Sequence, residues 1–335
     1  MTAFLGQRSA DDPRKPSGLG PATSVEKVLL PSVADLHLGN VSVPGRFESH
    51  RTGGFVTRMQ DVTARTAEEI AASHGVDLIE GWPRGGPLYL LRFSAGWPGL
   101  FVTTFGGQTP EGAARMGGSP AVYPAPFLGT GYTPYQAAPV PEYFLFLADL
   151  PAGAQIHRVD PDGEQTVVGH YLHRRLGWLP VAGPAFGPAR WWRPPAPAYS
   201  RIHRGLYVTH QGAEYEADFG PGPCQYTLHA VPGQPPAEGF AEQHGAWTKV
   251  VEDVQCDRAV YTRQLATWRG APFEVVDTGG DNVVLNFLGE NYQTAADLGL
   301  IEVDYRMWRT VARAADLTDA REEATEIRPQ GMFGK

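Results

Sequence analysis

From Leu88 onward, apolar and polar residues alternate in short runs broken by glycine and proline, the period of strands rather than of helices. Leu88-Tyr89-Leu90-Leu91-Arg92-Phe93 is entered through the turn-forming run Trp82–Pro87, and residues 100–105 follow, closed by Gly106-Gly107. Residues 143–147 form another strand. Residues 155–159 and 165–171 flank Asp160-Pro161-Asp162-Gly163, a strong hairpin turn, and residues 178–181 add one more strand. The first helix expected lies just before this region. Thr66 with Glu69 three residues on makes a capping box, and Gly75 stops the helix after His74. Residues 106–141 are a Gly- and Pro-rich excursion too long for a passive connection, which points to a functional loop, a lid or a flap over a sheet edge.

The last third of the chain carries a weak tandem repeat. Gln211-Gly212-Ala213-Glu214-Tyr215-Glu216 returns as Arg269-Gly270-Ala271-Pro272-Phe273-Glu274, 58 positions on. Trp247-Thr248-Lys249-Val250 returns as Trp308-Arg309-Thr310-Val311, 61 positions on. The difference of three fits an insertion near residues 291–299. A repeat of this length is one supersecondary unit used twice, each copy covering the other's apolar face. About five short strands per copy suggest an SH3-like or open-barrel unit.

The resulting fold class is α+β and mostly β: an N-terminal α+β domain followed by tandem SH3-like β repeats. Its parts are a disordered leader (1–24), the α+β domain (25–184), a Pro-rich linker (185–200), the repeat units (201–258 and 262–320) and a tail (321–335).

Composition supports a globular chain: 335 residues, 42% hydrophobic, 19% charged, with 40 Gly and 30 Pro. A net charge of −8 argues against a nucleic-acid footprint, which needs a basic face. No apolar window is long enough to span a membrane, and the N-terminus does not read as a signal peptide, so the expected location is the cytoplasm. Cys224 and Cys256 read as free thiols.

Candidate chemistry is sparse. His170 and His173 stand at i, i+3 in a strand beside Arg174-Arg175, which would repel a cation, so no metal site is expected. The glycine pairs lack the strand–turn–helix setting of a dinucleotide fingerprint, and no cofactor is expected. Glu214, Glu216 and Glu274 are expected on the solvent face of their strands. Trp191 and Trp192, next to Arg193, lie in the linker. One ring is expected to seal the seam between domains and the other to offer a binding anchor, a role in which Trp and Arg are enriched. Tyr132 and Tyr135 in the long excursion join them as binding candidates.

Two resemblances add function. Residues Trp82 to Phe93, joined to the tandem Gly-x-x-aromatic-Glu units, resemble a class of actinobacterial immunity proteins, the antidotes of NAD-glycohydrolase-like polymorphic toxins. That likeness implies a non-catalytic protein that neutralises a toxin domain by stoichiometric binding. Arg92 on a strand, followed by Thr103-Thr104, invites comparison with ADP-ribosyltransferases. This implies an enzyme acting on NAD or a nucleotide-like ligand, with Arg92, Thr103 and Tyr132 as the residues to examine. The chain departs from that pattern, since only 11 positions separate Arg92 from Thr103 and no Glu-x-Glu follows. A third reading is a scaffold that binds peptides at an exposed sheet edge.

Overall fold

The computed structural model describes residues 24–78, 82–94, 101–102, 140, 143–181, 193, 197, 201–231, 237–289, 291–304 and 307–327. The leader, most of the Pro-rich linker and nearly all of the 106–141 excursion lie outside the described residues.

The molecule is mostly β, and its first element is one the sequence pattern did not mark. Strand β1 (Ser24–Leu29) precedes helix α1 (Pro31–Leu38), which starts on a proline, a residue pre-set for a first helical turn. The short pair β2 (Ser42–Val43) and β3 (Phe47–Glu48) leads into β4 (Arg51–Arg58). Helix α2 (Ala67–Ser73) has the expected reciprocal cap, with the Glu69 amide donating to Thr66 Oγ1 and the Thr66 amide donating to Glu69. Then come β5 (Leu88–Ser94), β6 (Phe101–Val102), β7 (Tyr143–Asp149), β8 (Gln155–Val159), β9 (Gln165–His173) and β10 (Gly177–Pro180). All but the β2–β3 pair join one eight-stranded antiparallel sheet, ordered β10-β9-β8-β5-β1-β4-β7-β6.

Both faces of the central strands are covered, so β1 is buried from Val25 to Leu29. The core around Leu90, Leu91, Ile156, Tyr171 and Trp178 is closed to solvent. Trp178 is fixed at both ends: its Nε1–H donates to the Ser49 carbonyl at 2.7 Å, and its amide donates to Asn40 Oδ1 at 2.6 Å. A side chain at Gly177 would run into that Asn40 oxygen, which makes glycine necessary beside the tryptophan.

The C-terminal part is an eleven-stranded sheet. It starts with β11 (Gly205–His210), β12 (Ala213–Phe219), β13 (Gln225–His229), β14 (Ala241–Gln243) and β15 (Ala246–Glu252). A 3-10 turn, Asp253–Gln255, then leads into the long β16 (Arg258–Trp268). The same succession follows again: β17 (Ala271–Gly279), β18 (Asn282–Phe287), helix α3 (Tyr292–Asp297), β19 (Ile301–Asp304) and β20 (Met307–Arg313). A second 3-10 turn, Ala314–Asp316, leads into β21 (Thr318–Glu326). The helix lies where the repeat spacing asks for extra residues. The two glycine turns share one backbone form, with Gln211 and Gly212 at φ 54° and 76° and Arg269 and Gly270 at 48° and 77°. Positive φ at both central residues is the type I′ hairpin, whose twist matches the strands on either side.

Strand β16 belongs to both units. Its first half pairs with β11, its second half with β17, and its far edge with β21 along nearly its whole length. Strand β21 therefore carries residues 321–326, past the limit the sequence reading gave to the second unit. Each unit has its own core: Leu206, Val208, Ala217, Leu228 and Val251 in the first, Phe273, Leu285, Phe287, Ala295 and Trp308 in the second. Tyr215 and Phe273 occupy matching positions, the first half-buried at the margin of its core against Phe240 and the second sealed between Trp268 and Phe287.

Candidate functional site

Arg92 lies in a polar row that crosses the N-terminal sheet. The strand register sets Thr57, Glu26, Arg92, Gln155 and His170 side by side on β4, β1, β5, β8 and β9. Residues paired in this way point to the same face. Arg92 Nε–H donates to Glu26 Oε2 at 2.9 Å and its Nη1 donates to Gln165 Oε1 at 2.7 Å. His74, at the end of α2, meets Glu26 Oε1 at 3.1 Å. His157 stands 3.0 Å from Gln155 Oε1 through Nε2 and 3.4 Å from Arg92 Nη1 through Nδ1. A neutral ring with its proton on Nε2 satisfies both contacts.

The electrostatics agree with that tautomer. Burial and the Arg92 guanidinium push His157 down to about 4. Burial alone would raise the Glu26 carboxyl, but the His74 hydrogen bond and the charges of His74 and Arg92 outweigh it and hold the group below its ordinary value. Glu26 thus already has two donors, and Arg92 already has two acceptors. Among the described residues the row offers an ordered hydrogen-bonding surface but no uncommitted carboxylate to serve as a general base. Thr103 and Tyr132, the partners proposed for Arg92, lie outside the described residues.

A second constellation fastens the two parts of the molecule together, and it corrects one expectation. Glu216 and Glu274 do not face solvent. Glu274 is buried and accepts from Arg204 Nε and Arg263 Nη2, both at 2.9 Å. Glu216 accepts from Arg174 Nη1 at 3.0 Å and from Arg175. The sequence shows two acidic strand positions but not the arginines folded onto them. Only Glu214 is exposed.

Around these pairs Arg174 also gives Asp218 its amide (2.9 Å) and its Nε–H (2.6 Å). Asp149 at the end of β7 accepts from Arg51 at 2.9 Å and Arg204 at 3.2 Å, with Arg174 at 3.7 Å. Burial opposes ionisation of Asp149 and Asp218, but the facing guanidiniums prevail and hold both carboxyls well below the usual range. Further along, Lys27 pairs with Asp304 and Glu48 with Arg309, joining the N-terminal sheet to the second unit.

His170 and His173 sit on opposite faces of β9, as an odd offset along a strand requires. His170 meets Gln155, whereas His173 is buried with its ring 5.1 Å from that of His229. Cys224 and Cys256 are free thiols.

The third feature is an open strand on the first unit. In the second unit, Met307 and Arg309 on β20 are buried against the N-terminal sheet, where Gly53 packs directly on the Met307 sulfur. On the other face of β20, Trp308 is 4% exposed, edge-on to Phe287 in the core that includes Ala295 of α3. The matching strand β15 is covered only at Ala246 and Val251, and its tryptophan is not. Trp247 is 42% exposed and Val250, on the opposite face, 49%, while Val254 just beyond is 79% exposed. Strand β14 pairs with β15 only at residues 246–248, so the edge of β15 beyond Thr248 is unpaired among the described residues.

Of the residues chosen from sequence as binding anchors, Arg193 is exposed. Trp191, Trp192, Tyr132 and Tyr135 lie outside the described residues. Trp247 is visible in the repeat, but the sequence does not separate it from its counterpart Trp308, which is buried. No protein family, curated protein or solved structure matches this chain.

Proposed function

We propose that this chain is a non-catalytic cytoplasmic binding protein that neutralises a protein partner, a toxin domain, by stoichiometric contact through the first C-terminal unit. The observation that carries this reading is the open strand β15. It presents Trp247 at a position whose second-unit counterpart, Trp308, is buried, with Val250 exposed as its counterpart Val311 also is. The repeat thus contains one docking strand used internally and one left available. An exposed tryptophan beside an unpaired strand edge suits association by strand addition, with the indole as anchor. The acidic net charge of −8 suits a basic partner. We read each C-terminal unit as SH3-like: a curled antiparallel sheet whose 3-10 turn precedes a last strand that returns to the first.

Co-purification with a candidate toxin from a neighbouring gene, at a ratio of about 1:1, tests the proposal. Trp247→Ala is expected to weaken that complex by about thirtyfold, the loss of about 2 kcal/mol that marks an interface hot spot, with an unchanged melting temperature. A complex that ignores the substitution, or no binding in micromolar titration, removes the reading.

A second reading keeps the chain as an enzyme on NAD or a nucleotide-like ligand, and the Glu26–Arg92–His157 row favours it. Arg92, the one member of the proposed set among the described residues, lies in a polar cluster. Here NAD or ADP-ribose should raise the melting temperature by mass action and lose that effect in Arg92→Met. No shift with either ligand leaves the row a structural feature.

A further inference from the structure

A cleft where the N-terminal sheet meets the second unit gathers four cations and two carboxylates. Lys27, Arg46, Arg51 and Arg309 line it with Glu48 and Asp304, around apolar side chains. Among the lining residues cations exceed carboxylates by two (four minus two), with Arg51 also paired to Asp149 outside the cleft.

The hydrogen bonds show where the surplus sits. Lys27 is engaged by Asp304 and the Gly53 carbonyl. Glu48 is shared, accepting from Arg51 Nη1 at 3.1 Å and from Arg309 Nη1 at 2.6 Å. The Arg51 Nε–H turns away to Asp149. Arg309 is 3% exposed, and its Nε–H is buried with no acceptor. Arg46, between β2 and β3, is exposed, and its guanidinium has no ion-pair or hydrogen-bond partner among the described residues. A buried guanidinium N–H without an acceptor is rare in folded proteins and asks for a ligand or ion to complete it.

We propose that this cleft binds a small oxyanion, a phosphate or carboxylate group, received by the unanswered N–H of Arg309 and capped from the solvent side by Arg46. Guanidinium groups suit this task because their planar donors match the oxygens of such groups. The surroundings favour it too. Burial and the neighbouring Arg51 and Arg204 charges lower the Arg309 pKa despite Glu48, the mark of a positive group short of counter-charge. The cleft volume of about 40 Å³ holds a few waters or one such group, and is too small for a dinucleotide. Bound there, the anion bridges Arg309 on β20 and Arg46 beside β3, and so fastens the β2–β3 pair of the N-terminal part to the second unit.

Thermal unfolding of the full chain at constant ionic strength tests this, with low-millimolar sodium phosphate replacing chloride and sodium acetate in a parallel series. Phosphate at tenfold its dissociation constant is expected to raise the melting temperature by about 3 °C over chloride. Arg46→Glu, at an exposed position, should fold normally and lose most of that rise, which separates site binding from the general salting effect of phosphate. A rise with phosphate alone assigns a phosphoryl group, and an equal rise with acetate assigns a carboxylate. Equal melting temperatures in all three salts, or an undiminished rise in Arg46→Glu, overturn the proposal.

Discussion

Arg174→Ala is expected to cost about 3–5 kcal/mol, more than most single substitutions in this protein, because it leaves buried carboxylates without their main counter-charge. Arg174 bonds Asp218 and Glu216 directly and lies 3.7 Å from Asp149. These three do not suffer equally. Glu216 keeps Arg175, and Asp149 keeps Arg51 and Arg204. Asp218, 1% exposed, keeps only its His229 and the residue 174 amide, so the loss concentrates there. Urea unfolding measures it: the midpoint should fall with the slope unchanged, since the surface exposed on unfolding is the same. The pair Arg174→Met with Asp218→Leu should restore much of the loss, as apolar replacement of a whole buried ion pair often does. If Arg174→Ala moves stability by less than about 1 kcal/mol, this network behaves like surface charge and does not lock the two parts together.

The second large effect is a loss of stability on mild acidification, well before the carboxylates titrate. Burial and the charge of nearby Lys27 push His37 down to about 4 even though its Nδ1–H donates to the Ser49 carbonyl. Burial likewise pushes His173 down to about 4, with His229, Arg174 and Arg175 against protonation and Asp218 for it. A histidine with a lowered folded pKa contributes stability that is complete above its unfolded value near 6.5. That contribution is lost as pH falls toward 4, because the unfolded chain binds the proton first. At pH 5 each of these two rings costs about 2 kcal/mol, or about 4 kcal/mol together. His50 and His157, also lowered to about 4, act in the same direction but keep some solvent contact and add less. Glu48, lowered to about 2, extends the decline below pH 4 as it loses its ionised form against Arg51 and Arg309. Urea midpoints at pH 7, 6 and 5 should therefore fall steadily. A flat profile would mean that these rings are protonated or solvated in the folded protein.

What could be read from sequence was local. The α2 cap appeared residue for residue because it is a contract between Thr66 and Glu69, three positions apart. The twin hairpins at Gly212 and Gly270 were legible for the same reason, since a tight turn needs only its own backbone. The strand β1 was not legible. Its Glu26 and Lys27 look like surface residues, yet both are buried, and the groups that make this tolerable are Arg92, 66 positions away, and Asp304, 277 positions away. Glu216 and Glu274 misled in the same way, as acidic strand positions whose arginines arrive from the β9–β10 turn, from just before β11 and from β16. Of the polar row, only Arg92 and His170 stood out in the sequence, each for a different reason. The row they belong to exists only once four further strands are laid beside β5 in register.

Strand β16 closes the first C-terminal unit and opens the second within a single run from Arg258 to Trp268. Duplication here did not yield beads on a string. There is no peptide bond at which the pair can be cut to free one whole half, so neither is an excisable module. A shared beam of this kind also removes the hinge that a linker would supply. A partner gripping β15 would therefore pull on a rigid body, and the strain of that grip would travel along one continuous backbone into the unit that carries the N-terminal sheet.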